Sequence, residues 1–238
     1  MKVIINADDF GLTSGGNRAI IECHKNGVLT STTLMATTKY TQEAIQLAKE
    51  NPSLGVGVHM VLTTGRPILD SHKTLVDETG KFKYTINTID DAIDHEELFA
   101  EWDAQIESIK QHLDITHLDS HHHVHMHPKI NDVVVRLAKK HNVPYRSERL
   151  NLPTEVLVDG AFYKEGVSLD YFKELFESDK AACVDVMTHP AYVDDYLESI
   201  SSYTSWRQVE LEILTSQDLK DLVNKHNIEL ITYRDITA

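Results

Sequence analysis

Residues 117–128 read HLDSHHHVHMHP, and five of the seven positions from His121 to His127 are histidine. A lone histidine usually packs or faces solvent. A run of imidazoles just behind a carboxylate, Asp119, is instead a donor set for a divalent cation or a chain of groups that pass protons. Three other stretches carry the same kinds of side chain: the adjacent carboxylates Asp8 and Asp9 in NADDFG, His59 in GVHM, and His189 in MTHP. Two imidazoles and one carboxylate, with a position left for water, suit zinc or another first-row divalent ion. The ligand set favoured by this spacing is Asp9, His59 and His121. His123 or His125 are the alternatives to His121, and Asp119 is a further ligand or a supporting group. If LDSHHHVHMH stays extended, Asp119, His121, His123, His125 and His127 face one side and His122 the other.

With Asp9 on a cation, Asp8 is left free as a general base. His189, given an imidazole pKa near neutrality, is the candidate general acid. Arg207 and Glu210, three apart in SWRQVEL, read first as a surface ion pair on one helix face, and otherwise as support for the site. Tyr192, Tyr203 and Trp206 offer flat faces to the apolar side of a pyranose ring, with ordinary core packing as the competing role. No G-x-x-x-x-G-K-[ST] or G-x-G-x-x-G stretch occurs, so a phosphate-binding loop is excluded.

These residues need a scaffold, and the hydrophobic pattern supplies one. Seven short apolar runs alternate with longer amphipathic ones. The strand candidates are KVIINA, STTLMATT, LGVGVHM, THLDSH, VPYRSE, ACVDVMTH and IELITYR. Asp94 with Glu97 predicts a capping box, Pro128 a first helical turn and Gly27 a helix end. Repeated βα units point to a mainly parallel sheet covered by helices. Asp8 and Asp9, His59, Asp119 with His121, and His189 then all fall at C-terminal strand ends, where such folds build their sites. The 61–92 stretch has no helix signal and is a candidate substrate-covering loop or small hairpin. The whole chain, 1–238, reads as one domain.

Composition narrows the function. The formal charge of −14 and the lack of a basic cluster argue against nucleic acid as a partner. No apolar run approaches the roughly 20 residues that span a bilayer, and the start lacks a secretory core, so a cytoplasmic protein is expected. Two distant cysteines, Cys23 and Cys183, exclude a disulfide framework.

The stretches NADDFG, GVLTSTT, GVHMVLT, THLDSHHHVHMHP and THP, in this order over residues 6–190, resemble the YdjC-type carbohydrate deacetylases. The resemblance implies a TIM-barrel-like α/β fold, here a distorted (β/α) barrel of about seven strands. It implies one divalent metal ion, usually magnesium, held by residues including His59 and His121. It also implies removal of an acetyl group from N-acetylated sugars of the chitobiose or chitooligosaccharide type, a role in using imported chitin fragments, and a homodimer. Similarity to NodB-type deacetylases extends the roles to Asp9 as third ligand, Asp8 as base and His189 as acid. Two other functions fit the same residues: a metal-dependent hydrolase or isomerase acting on a sugar or sugar phosphate, and a non-catalytic metal-binding protein.

Overall fold

Along the first strand Val3, Ile5 and Ala7 join one apolar cluster, while Ile4 joins another and Asn6 and Asp8 bond to groups on its own side. This two-residue alternation marks a strand buried on both faces, as parallel strands under helices are. The computed structural model describes residues 1–147, 155–178 and 181–236. In chain order they form β1 (Lys2–Phe10), α1 (Ser14–Asn26), β2 (Ser31–Leu34), α2 (Thr41–Glu50), β3 (Gly55–Met60), α3 (His95–Lys110), β4 (Leu118–Ser120) and α4 (Asn131–His141). There follow β5 (Val156–Asp159), α5 (Leu169–Glu177), β6 (Cys183–Thr188), α6 (Asp195–Ile200), α7 (Ser205–Thr215), α8 (Gln217–Lys225) and β7 (Glu229–Leu230).

All strand pairs are parallel, in the order β4-β3-β2-β1-β6-β5, with β7 alongside the start of β1. The seven-stranded sheet curls into a distorted half-barrel, the architecture expected from the sequence. Helices cover its outer face. In α3, Leu98, Trp102, Ile106 and Ile109 form one buried stripe, and each such side chain contributes about 1.5–3 kcal/mol through burial. The inner face is layered. Ile4, Val156, Cys183, Ile231, Tyr233 and Ile236 pack the N-terminal end, and polar side chains replace them toward the C-terminal mouth. Gly57 on β3 leaves room for the buried His117, whose ring would lie 2.6 Å from any Cβ there.

Several sequence expectations are corrected. VPYRSE is not a strand over its described part. Only Tyr145 bridges to Leu118, and Glu148 lies outside the described residues. The fifth strand is Val156–Asp159, beyond it. IELITYR keeps two strand residues before turning into a short 3₁₀ segment at Tyr233–Ile236. Asp94 does cap α3, accepting from the Glu96 and Glu97 N–H groups. Glu97 does not complete the box, because its carboxylate accepts from Lys73, Thr74 and the Thr74 hydroxyl instead. Pro128 precedes α4 rather than opening it. Gly27 does end α1, through close approach of the Leu214 carbonyl rather than a left-handed turn.

The 61–92 stretch is anchored on α3. Glu101, fully buried, accepts from the Ile68 and Leu69 N–H groups. Farther along, Val76 pairs with Phe82 across a tight antiparallel turn.

Candidate active site

The end of β1 places two neighbouring carboxylates in one cavity. Asp9 adopts a left-handed backbone (φ 67°), a conformation that aspartate tolerates better than most residues. Consecutive side chains therefore diverge: Asp8 points into the barrel and Asp9 across its mouth.

Asp9 Oδ1 lies 2.9 Å from His121 Nδ1 and 3.4 Å from His59 Nε2. One ligand-type atom from each of Asp9, His59 and His121 falls within 4.8 Å of the others. The second Asp9 oxygen accepts from Arg207 Nη2 at 2.7 Å. His59 is held from behind, since its Nδ1 meets Asp119 Oδ1 at 2.7 Å, while Thr33 Oγ1 donates to Asp119 Oδ2. A carboxylate on one ring nitrogen leaves the other aimed at the mouth, the arrangement that orients metal-binding imidazoles. Asp119 thus supports His59 rather than joining the Asp9 group.

Beyond Ser120 the histidine run departs from the expected alternation. Ser120 Oγ accepts the His125 N–H, and His122 and His123 take left-handed backbone angles, which coils the segment into 3₁₀ turns. His121 alone of the run reaches Asp9 and His59. His122 contacts the Thr63 hydroxyl, and His123 Nε2 lies against Met187 Sδ. His125 turns inward between Ser120 Oγ and the Arg146 carbonyl, where burial pushes its imidazole down to about 4. Neither alternative ligand, His123 or His125, joins the group.

Beneath the mouth lies Arg146, which sequence reasoning missed. Its Nη1 donates to both Asp8 oxygens at 2.9 and 3.0 Å and lies 3.0 Å from Asp119 Oδ2, and its Nε donates to Asp185 at 2.9 Å. Burial is the largest influence on Asp8 and raises its pKa, but Arg146, His59 and His189 together outweigh burial, so this carboxyl stays below the ordinary range. Burial likewise opposes the ionised Asp9, yet His121 and Arg207 hold it well below that range.

His189 Nε2 lies 3.9 Å from Asp8 Oδ2. Its imidazole is not poised near neutrality. Burial pushes it down to about 3, so the resting ring is neutral. Arg207 and Glu210 do not form the expected surface pair, because both are buried and serve different partners. Arg207 holds Asp9, while Glu210 accepts from the His189 N–H through Oε2 and from the Tyr203 hydroxyl through Oε1. Burial pushes Glu210 up to about 8.

The cavity above these groups measures about 760 Å³, within the range of about 300–1,000 Å³ usual for small-molecule sites. Tyr203 lines it, as expected of a ring-binding aromatic, but Tyr192 and Trp206 pack against the core instead. Tyr163, unremarked in the sequence, is stacked on Tyr203 at 4.4 Å and remains 38% exposed. Thr85 and Ile86 of the 61–92 stretch form part of the wall.

The donor set fits a cation on charge as well as geometry. Asp8, Asp9, Asp119 and Asp185 are buried around two arginines, and burial of unbalanced carboxylates is unfavourable. Without a cation, a proton takes up part of the imbalance. Burial disfavours charge on His59, but Asp119 and the other carboxylates raise its pKa to about 10. The Asp103, Glu107 and His141 group on α3 and α4 is a weaker candidate, because Lys110 and Lys140 already sit in it.

Residues 2–225 match the family described as YdjC-like protein. A carbohydrate deacetylase of Thermoanaerobacter pseudethanolicus is 40% identical, with 97% of each chain covered. A crystal structure from Enterococcus faecalis V583, provisionally described as a cellobiose-phosphate cleavage protein, superposes with a TM-score of 0.91 at 35% identity, covering 100% of this chain and 99% of that one. A peptidoglycan N-acetylglucosamine deacetylase shares the fold at a TM-score of 0.53 and 11% identity, over 99% of this chain and 87% of that one.

Proposed function

The chain belongs to the YdjC-like family, and from that membership we propose that it is a divalent-metal-dependent carbohydrate deacetylase that hydrolyses the acetamide of N-acetylated sugars. The observation that carries this reading is the convergence of Asp9, His59 and His121 within 4.8 Å, beside an Asp8–His189 pair 3.9 Å apart.

Asp9, His59 and His121 would hold the cation. When bound, it supplies Lewis acidity, polarising a carbonyl and lowering the pKa of a water toward about 7. The chain's own groups do the rest. Arg207 orients Asp9, and Asp119 fixes the His59 tautomer. Asp8, kept ionised by Arg146, takes the proton of the attacking water. Because Arg146 favours the ionised carboxylate, Asp8 passes that proton on rather than keeping it, and His189 is the neighbour placed to receive it. His189 then delivers it to the departing sugar nitrogen, which leaves as the amine. Tyr163 and Tyr203 present aromatic faces to the sugar, and the 61–92 stretch covers it.

Two imidazoles with one carboxylate favour zinc, manganese, cobalt or nickel at least as well as the magnesium implied by family resemblance. Diacetylchitobiose is the substrate of first choice, with the protein acting in the cytoplasm as a homodimer on imported fragments. Among the described residues no helix is long and apolar enough to cross a membrane.

The test is acetate release from diacetylchitobiose by wild type and His59→Ala, run beside phosphate release from sugar phosphates. Acetate release that vanishes in His59→Ala supports the proposal. Release undiminished by that change rules out the site, and phosphate release alone transfers the assignment to a sugar-phosphate hydrolase.

A further inference from the structure

The C-terminal 3₁₀ segment packs the closed end of the half-barrel, beyond residue 225 where the family match stops. Tyr233, fully buried there, uses its ring and its hydroxyl for different purposes. The ring stacks on His117 at a centroid distance of 3.8 Å and 13° between planes. The hydroxyl donates to Asp185 Oδ2 at 2.5 Å, the same oxygen that accepts Arg146 Nε at 2.9 Å. Arg146 Nη1 continues to Asp8. A line of buried polar contacts therefore runs from the floor to the group read above as the base.

This line has little redundancy. Asp185 Oδ1 and Arg146 Nη2 have no hydrogen-bond partner among the described residues, so Asp185 acts through one oxygen, and the guanidinium is held by Nε on Asp185 and by Nη1 on Asp8 and Asp119. An arginine side chain has several rotatable bonds, and anchoring Nε is what selects the plane in which Nη1 meets Asp8. We propose that Tyr233 is a positioning residue that acts through Asp185 and Arg146 to set the place of Asp8. This rests on the reading of Asp8 as the base. If Tyr233 were only floor packing, its hydroxyl would be dispensable for turnover.

Tyr233→Phe keeps the stack and removes only the hydroxyl, and Asp185→Asn weakens the next link. Per folded molecule, each should lower kcat for acetate release from diacetylchitobiose roughly 5- to 20-fold, with KM little changed. In an Arg146→Lys background, adding Tyr233→Phe should cause no further loss, because both changes interrupt one path. A wild-type kcat in Tyr233→Phe, or a loss that multiplies in the Arg146→Lys background, overturns the inference. Crystal structures give a readout independent of substrate: Tyr233→Phe should show the guanidinium shifted off Asp8, and an unmoved guanidinium overturns the inference equally. The two readings fail separately. Wild type without acetate release refutes the deacetylase reading, whereas an active wild type, an inactive Asp8→Asn and an unaffected Tyr233→Phe refute only the positioning role.

Discussion

The two ends of the barrel interior are built on opposite principles. Its floor, formed by Ile4, Val156, Cys183, Ile231, Tyr233 and Ile236, is apolar but for one hydroxyl. Its mouth, a few residues farther along β1 and at the ends of β3 and β4, buries Asp8, His59 and Asp119, with Arg146 beneath them. Floor burial stabilises directly through apolar area. Mouth burial removes ions from water and is offset only by their mutual pairing, so it adds little net stability. The floor should therefore carry stability and the mouth chemistry, and substitutions should separate the two.

The largest separation is expected at Asp8. Asp8→Asn should lower kcat for acetate release by about 10²–10⁴-fold, while Arg146 keeps Asp119 and Asp185 as partners and the fold persists. Equal losses of activity and folded fraction would erase the contrast. At the floor, Ile4→Ala should destabilise by about 2–5 kcal/mol in urea unfolding, with kcat per folded molecule unchanged.

Glu210 sharpens the comparison through pH. Burial raises its pKa to about 8 from an ordinary 4.5, so the folded protein keeps a proton that the unfolded chain releases across that interval. Stability from this group is thus full below about pH 4.5 and is lost as pH rises toward 8. Urea midpoints measured from pH 5 to 8 should fall more steeply for wild type than for Glu210→Gln, and parallel profiles would contradict the assignment. A smaller effect is expected at Tyr163, where Ala should raise KM several-fold, corresponding to about 0.5–1.5 kcal/mol, with kcat retained. His127, whose side chain makes one hydrogen bond among the described residues, accepting from the Lys129 N–H, should tolerate Ala with stability within about 0.5 kcal/mol and unchanged turnover.

Much of the mouth was legible in the sequence for one reason: parallel strands deliver their C-terminal residues to a common rim. Asp8, Asp9, His59, Asp119 and His189 could be placed once the apolar runs were read as strands. The histidine run resisted, because the Ser120 bond to the His125 N–H and the left-handed turns at His122 and His123 follow from tertiary context rather than period. Arg146 was hidden in a stretch read as strand, where a long cation gives no sign of pointing into the barrel. Glu210 and Arg207 sit at helical spacing, which signals an ion pair only if that helix face meets water; here it meets Asp9 of β1 and His189 just past β6. Tyr233 gave no signal, since an aromatic near the end of an apolar run reads as core.

The chemistry rests on a divalent cation held at the mouth by Asp9, His59 and His121. Anomalous scattering from crystals soaked in manganese or zinc would locate it. A peak between those three side chains that disappears in His59→Ala is expected. No peak there in wild type, or a peak only at Asp103, Glu107 and His141, would contradict it.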